Sequence, residues 1–319
     1  MKKILIVGAG AMGAAFSIPL LDNGHSVALT EPYNFKLFQK LNSKKKIHPS
    51  LNINLPKKLK INKFSSEILN RKWDLIVIAV SSIGIDLIGK NLSKVKNKSP
   101  ILVLTKGLKL DGRNLISMSS LLKKYNKNLN ISVLKGPCLA KELAKKVKSF
   151  TVVANKNIKI AKKIGKLIST NYYLVDYSTD VIGVEVCSAI KNIYAMVIGA
   201  GQSLNMSSSL FQKSLIEMKY LTKYFNGKET TVESLAGVGD LYVSAAGGRN
   251  SKMGDYLGKG FTFKSAKKKF MLKDTVEGEQ LVREIGPFIL KKINFQKIPL
   301  MINLLRSLLK NKKLNLKKL

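Results

Sequence analysis

The chain has 319 residues, 45% of them hydrophobic, which suits about two packed domains and excludes a disordered, fibrous or disulfide-stapled protein. Lys+Arg 56 against Asp+Glu 19 gives a formal charge of +37. The basic residues are scattered in short runs such as Lys44-Lys45-Lys46 and Lys267-Lys268-Lys269, with little aromatic interleaving. That pattern reads as solvated surface rather than a nucleic-acid interface, although its field favours anionic small molecules. Cys138 and Cys187 have neither disulfide-framework nor metal-ligand spacing, and with two histidines no metal site is expected.

The first element is a buried strand, Ile4-Leu5-Ile6-Val7, running directly into Gly8-Ala9-Gly10-Ala11-Met12-Gly13. In a strand–turn–helix setting, G-x-G-x-x-G is a dinucleotide-binding signature with a task for each glycine. Gly8 makes the tight turn, Gly10 lets a pyrophosphate approach the backbone, and Gly13 lets the helix pack on the sheet. Ala11 and Met12 open that helix, whose free N–H groups attract phosphate. His25 to Glu31 alternates as a second strand, and Glu31 is placed to accept hydrogen bonds from a ribose.

A lysine-rich helical segment is expected to about Lys46, then a loop through Pro49 and Pro56 and a short strand at Leu59-Lys60-Ile61. Strands follow at Trp73–Val80, Ile101–Thr105, Ile131–Leu134, Phe150–Ala154 and Tyr172–Val175, with helices at Ile83–Leu92, Leu139–Lys146 and Ile158–Ile168. Alternating strands and helices predict a doubly wound, mostly parallel, Rossmann-like sheet over residues 1–178. Ligands bind such sheets beyond the carboxyl ends of the strands, where Lys106 and Gly136 lie.

From about Thr179 the strand signals vanish, and residues 179–319 read as an all-helical second domain. Val181–Leu204 reads as one helix, apolar nearly all round. Glu185 and Lys191 within it predict a core helix rather than a membrane span. Further helices are expected at Leu210–Phe225, Thr231–Leu235, Met253–Leu257, Thr262–Phe270, Gly278–Ile285 and Ile298–Leu309, with a frayed basic tail from Lys310. Burial of Lys191 would disfavour its ammonium form, and a lysine so tuned can exchange a proton with a hydroxyl or carbonyl. On the helix alone, a lysine snorkelling to the edge explains it equally well.

Seven fragments then occur in order: GAGAMG, TKGL at Thr105 to Leu108, GPCLAKELA at Gly136 to Ala144, AIKNIYA at Ala189 to Ala195, AGVGDL at Ala236 to Leu241, GGRN at Gly247 to Asn250 and VEG at Val276 to Gly278. In this order and spacing the chain resembles the NAD(P)-dependent glycerol-3-phosphate dehydrogenases over almost its whole length. The resemblance implies a cytoplasmic oxidoreductase using NAD, with NADP as the alternative. Such an enzyme interconverts sn-glycerol 3-phosphate and dihydroxyacetone phosphate and supplies glycerophospholipid synthesis. It implies Lys191 as proton acceptor in the oxidising direction, with Asn192 and Asp240 holding substrate oxygens and orienting it. Lys106 would bind substrate and cofactor, and Arg249 and Asn250 the phosphate, with Arg249 also near the cofactor. Glu277 would touch the nicotinamide end, while Gly136 and Ala140 line the cleft. No nucleic-acid partner or integral membrane segment is implied, and a homodimer is compatible. The chain departs from the family pattern at Gly248, Ser81-Ser82, Cys138 and Asn205–Ser209. Two alternatives stay open. Ketopantoate reductases and 3-hydroxyacid dehydrogenases share GAGAMG but not the later fragments, and a cofactor-binding protein that holds nucleic acid would show salt-sensitive binding without turnover.

Overall fold

The computed structural model describes residues 1–96 and 98–318. It comprises two compact units, one of Met1–Lys106 with Met118–Val181, the other of Gly107–Ser117 with the chain from Ile182 onward.

The first unit contains β1 (Lys3–Val7), α1 (Ala11–Asp22), β2 (Ser26–Glu31), α2 (Phe35–Leu41), a hairpin of β3 (Ile47–His48) and β4 (Ile53–Asn54), β5 (Lys60–Lys63), α3 (Ser66–Asn70), β6 (Leu75–Ile78), α4 (Ile85–Leu92) and β7 (Ile101–Val103). After β8 (Leu108–Asp111) and β9 (Asn114–Ser117), which belong to the second unit, it resumes with α5 (Met118–Tyr125), β10 (Ile131–Lys135), α6 (Ala140–Ala144), β11 (Ser149–Ala154), α7 (Ile158–Ile168) and β12 (Tyr173–Ser178). The strands form one eight-stranded sheet in the order β12-β11-β10-β7-β6-β1-β2-β5, parallel except between β10 and β11. The apolar runs of β1, β6 and β7 are buried because helices cover both faces of a parallel sheet. From β1 the chain winds outward through β2 to β5, then returns to the far side of β1 as β6. That reversal is the topological switch point, and the glycine turn leaves the sheet there.

Helix α7 shows how local pattern becomes packing. Asn157 caps its first turn, and Ala161, Ile164, Gly165 and Ile168 form the buried stripe. The lysine-rich segment after β2 is helical only over Phe35–Leu41, with turn to Lys46, and the hairpin β3–β4 forms in the stretch expected as loop. This pairing is too short to leave a periodic signal.

The second unit contains α8 (Val181–Gly199), α9 (Leu204–Tyr224), α10 (Asp240–Ala245), α11 (Arg249–Gly258), α12 (Phe263–Phe270), α13 (Glu277–Lys292) and α14 (Pro299–Leu309). Long and apolar enough to cross a membrane, α8 is nevertheless 89% buried within the protein, as a core helix is. It stops at Gly199 rather than running on to Leu204, because Gln202 turns the chain at φ +59° and Ser203 caps α9 by accepting from Met206 N. The backbones of α8 and α11 touch, since a Cβ on Gly254 would lie 2.0 Å from the Met196 carbonyl oxygen. Helix α13 runs past Ile285 to Lys292, through Pro287. The hairpin β8–β9 packs on α13, where Glu284 Oε1 accepts from Leu110 N at 3.2 Å, and Leu108 joins the helical core. The expected fraying of the tail does not begin at Lys310. Leu314 is buried, Ser307 Oγ donates to the Lys312 carbonyl and Asn303 Nδ2 to that of Asn315; Leu319 lies outside the described residues.

Candidate active site

In the sheet unit the three glycines differ as their tasks require. Gly8 sits at φ +108°, and a Cβ there would lie 2.6 Å from the Ala79 backbone just beyond β6. Gly13 abuts the turn, its hypothetical Cβ 2.0 Å from the Gly8 carbonyl oxygen. Gly10 by contrast has nothing within 4 Å of that position, and no side chain caps α1. The turn is therefore closed where helix meets sheet and open where an anion would approach the first N–H groups of α1, at Ala11, Met12 and Gly13. Its backbone fits the pyrophosphate of a dinucleotide.

Glu31, at the end of β2, does something the sequence did not disclose. Its Oε2 accepts from Ala9 N at 2.8 Å, and Oε1 accepts from Tyr33 N and Asn34 N at 3.0 and 3.1 Å. His48 holds the next peptide, through the carbonyl of the same residue. Its Nδ1 accepts from Leu51 N, so Nε2 is the donor to the Ala9 carbonyl oxygen at 3.0 Å. His48 is buried, and burial holds its pKa below the usual imidazole value. Sequence reasoning missed His48, because β3, which carries it, was read as loop. Lys106 follows β7, and Gly136 follows β10 at φ +126° with Ala140 opening α6 beyond it.

In the helical unit, Lys191 does not snorkel: it is 6% exposed, and its Nζ donates to Asp240 Oδ1 at 2.7 Å and to Ser244 Oγ. Ser188 Oγ donates to Asp240 Oδ2 at 3.2 Å. Asp240 is not a helix cap; it is the first residue of α10, after a single wide turn over Leu235–Gly239 in which Gly239 N reaches back to the Ser234 carbonyl. That i→i+5 geometry is rare and recurs at functional sites. The carboxylate offsets the cost of burying an ammonium on α8. No role was read for Ser244 or Ser188 from sequence. The available signal was helical spacing: Ser244 is four residues after Asp240 and Ser188 three before Lys191, one turn away in each case.

A second cluster in the same unit joins Asn192, Arg249, Asn250 and Glu277. Asn250 Nδ2 donates to Asn192 Oδ1 at 3.1 Å, Gly278 N donates to Asn250 Oδ1 at 2.9 Å, and Arg249 Nη2 pairs with Glu277 Oε1. Gly278 allows this docking, since a Cβ there would lie 2.8 Å from the Asn192 carbonyl oxygen. Asn192 thus orients Asn250, and the Arg249 side chain is half exposed. A cation at the surface beside a buried amide can meet an anion from solvent, while the buried Lys191–Asp240 pair can hold or release a proton.

Residues 3–161 match the family described as NAD-dependent glycerol-3-phosphate dehydrogenase N-terminus, and residues 180–316 its C-terminus. A glycerol-3-phosphate dehydrogenase [NAD(P)+] of Fusobacterium nucleatum is 31% identical over 288 residues, 87% of this chain and 84% of that protein. One from Bacillus pumilus is 29% identical over 326 residues, covering 99% and 92%. The crystal structure of glycerol-3-phosphate dehydrogenase from Coxiella burnetii superposes with a TM-score of 0.85 at 25% identity, covering 98% of this chain and 96% of that one. The chain belongs to the NAD-dependent glycerol-3-phosphate dehydrogenase family.

Proposed function

We propose that this protein interconverts sn-glycerol 3-phosphate and dihydroxyacetone phosphate with NAD(H), and less efficiently with NADP(H). The buried Lys191–Asp240 pair carries the reading. When bound, the cofactor supplies or accepts the hydride. Lys191 gives its Nζ proton to the carbonyl oxygen during reduction and takes the hydroxyl proton during oxidation. Asp240 favours the ammonium form, the form that reduction needs. Ser244 and Ser188 hold the pair in register, and Asn192 and Asp240 hold the substrate oxygens.

Arg249 and Asn250 bind the substrate phosphate, and binding energy at that remote end aligns the reacting carbon. Glu277 orients Arg249 and would touch the nicotinamide end of the cofactor. Lys106 binds the reacting end of the substrate, with Gly136 and Ala140 lining the cleft. Gly8, Gly10, Ala11, Met12, Gly13 and Glu31 hold the dinucleotide, so residues 1–178 serve chiefly the cofactor and 179–319 chiefly the substrate, apart from Gly107–Ser117, which belong to the helical unit. The reading includes a cytoplasmic enzyme, compatible with a homodimer, feeding glycerophospholipid synthesis, with no nucleic-acid partner.

The test is NADH oxidation with dihydroxyacetone phosphate beside unphosphorylated dihydroxyacetone. The phosphorylated ketone should react far faster, and Arg249→Ala should remove about 10- to 100-fold of that advantage, the worth of a charge-assisted hydrogen bond or two. A faster reaction with ketopantoate or a 3-ketoacid would overturn the substrate assignment and leave the dehydrogenase reading standing.

A further inference from the structure

We propose that Lys135 is a positioning residue that fixes the turn carrying Lys106, a role that rests on the reading of Lys106 as a ligand for the reacting groups. Lys135 ends β10 and is 1% exposed. Its ammonium donates to the carbonyl oxygens of Val103 at 3.1 Å and Thr105 at 2.7 Å, the latter immediately before Lys106. Hydrogen bonds continue on both sides. Thr151 Oγ1, on β11, donates to the Lys135 carbonyl oxygen at 2.9 Å, and Thr105 Oγ1 donates to the Val80 carbonyl oxygen beyond β6 at 2.8 Å. Lys135, Thr105 and Thr151 are all buried.

The strands involved, β11, β10, β7 and β6, are consecutive neighbours in the sheet. The bonds therefore form a polar line across its interior at the end where Ser81, Lys106 and Gly136 leave it. Burying an ammonium is costly, and a methionine would fill a slot of similar length without that cost. What the ammonium adds is a charged donor reaching two carbonyls of the adjacent chain, so the turn after β7 is held from the side as well as through its own ladder. A ligand group on that turn is then held in one place, and small displacements of such groups are expensive in rate.

The test uses the full-length enzyme with Lys135→Met, Lys106→Ala and the double variant, assayed with dihydroxyacetone phosphate and NADH. NADH affinity is measured separately by fluorescence titration. Lys135→Met should lower kcat/KM for dihydroxyacetone phosphate about 10- to 100-fold, while the NADH Kd moves by less than about threefold. In the double variant the loss should be much less than the product of the single losses, because Lys135 acts through Lys106. Thr105→Val removes a neighbouring bond of the line with almost no change of shape; it should show the same signature more weakly, and it replaces Lys135→Met in the cycle if that variant does not fold. Multiplicative losses, or a fall in NADH affinity parallel to the fall in turnover, would overturn the proposal while leaving the role of Lys106 intact. Normal kinetics in Lys106→Ala alone would overturn the role of Lys106 and this proposal with it.

Discussion

Around Gly8–Gly13 the sheet unit presents backbone: a turn closed by two glycines, opened by a third, and held at Ala9 by Glu31 and His48. Around Lys191 the helical unit presents side chains: an ammonium, a carboxylate and two hydroxyls, buried where α8 meets α10. A backbone site tolerates most changes nearby but no added Cβ at a closed position. A side-chain site tolerates backbone adjustment but no loss of a charged partner. Binding of the dinucleotide and transfer of the proton should therefore fail independently.

The largest expected effect is at Lys191. Lys191→Ala should lower kcat by about 10²–10⁴, the usual contribution of a positioned general acid–base. NADH affinity, measured by titration, should stay within a few-fold, because the glycine turn belongs to the other unit. Near-normal turnover would reduce Lys191 to a structural cation, and equal loss of NADH affinity would break the separation between the units.

An intermediate effect is expected at Glu31. A carboxylate at the end of β2 favours a free ribose hydroxyl and repels a 2′-phosphate. The wild-type enzyme should thus have the higher kcat/KM with NADH than with NADPH. Glu31→Gln should shrink that preference, by about tenfold for one lost charge interaction, and weaken both cofactors because Ala9 N loses an anionic acceptor. A preference left unchanged would mean that Glu31 serves the turn alone.

The remaining effects concern stability against pH rather than activity, and here the units should differ in sign. Glu217 on α9 is buried, accepts from Leu300 N and Met301 N at the start of α14 and from Tyr194 Oη, and burial pushes its pKa up to about 7. The ordinary carboxylate value is 4.5, so between about 4.5 and 7 the folded form binds the extra proton. Its contribution is full below 4.5 and lost as pH rises through 7, on the order of 3 kcal/mol in all. His48 is opposite: with its pKa lowered, the unfolded chain binds more protons, and stability is lost as pH falls below about 6.5. Chemical denaturation from pH 5 to 8 should show Glu217→Gln removing the alkaline-side loss and His48→Gln the acid-side loss. Both variants shifting the profile in one direction would contradict these environments.

Much of the fold follows from local pattern. The buried strands, the α7 stripe and the change to helices after Thr179 show in hydrophobic period alone, because burial on one face or two leaves a repeat within a few residues. The hairpins β3–β4 and β8–β9 left no such repeat, being two to four residues long per strand. The break at Gly199 was hidden by the long apolar run before it, although Gly201, Gln202 and Ser203 are residues of a turn and a cap. Of the candidate site, the glycine turn was legible because sterics act between neighbours. From its own helix Lys191 was legible only as an anomaly, a charge among apolar residues, and its role came from the family resemblance.

What the sequence by itself determined, then, is what neighbouring residues settle among themselves: element type, the glycine turn, and the family through its ordered fragments. Tertiary structure alone decided the partners. It set the Lys191 ammonium on Asp240 and Ser244, 49 and 53 residues away, the His48 ring on Ala9 across 39, and the Lys135 ammonium on the Thr105 carbonyl across 30. A buried charge or ring must find its hydrogen-bonding partner wherever packing brings one, and that meeting depends on how helices and strands stack, which no local period encodes.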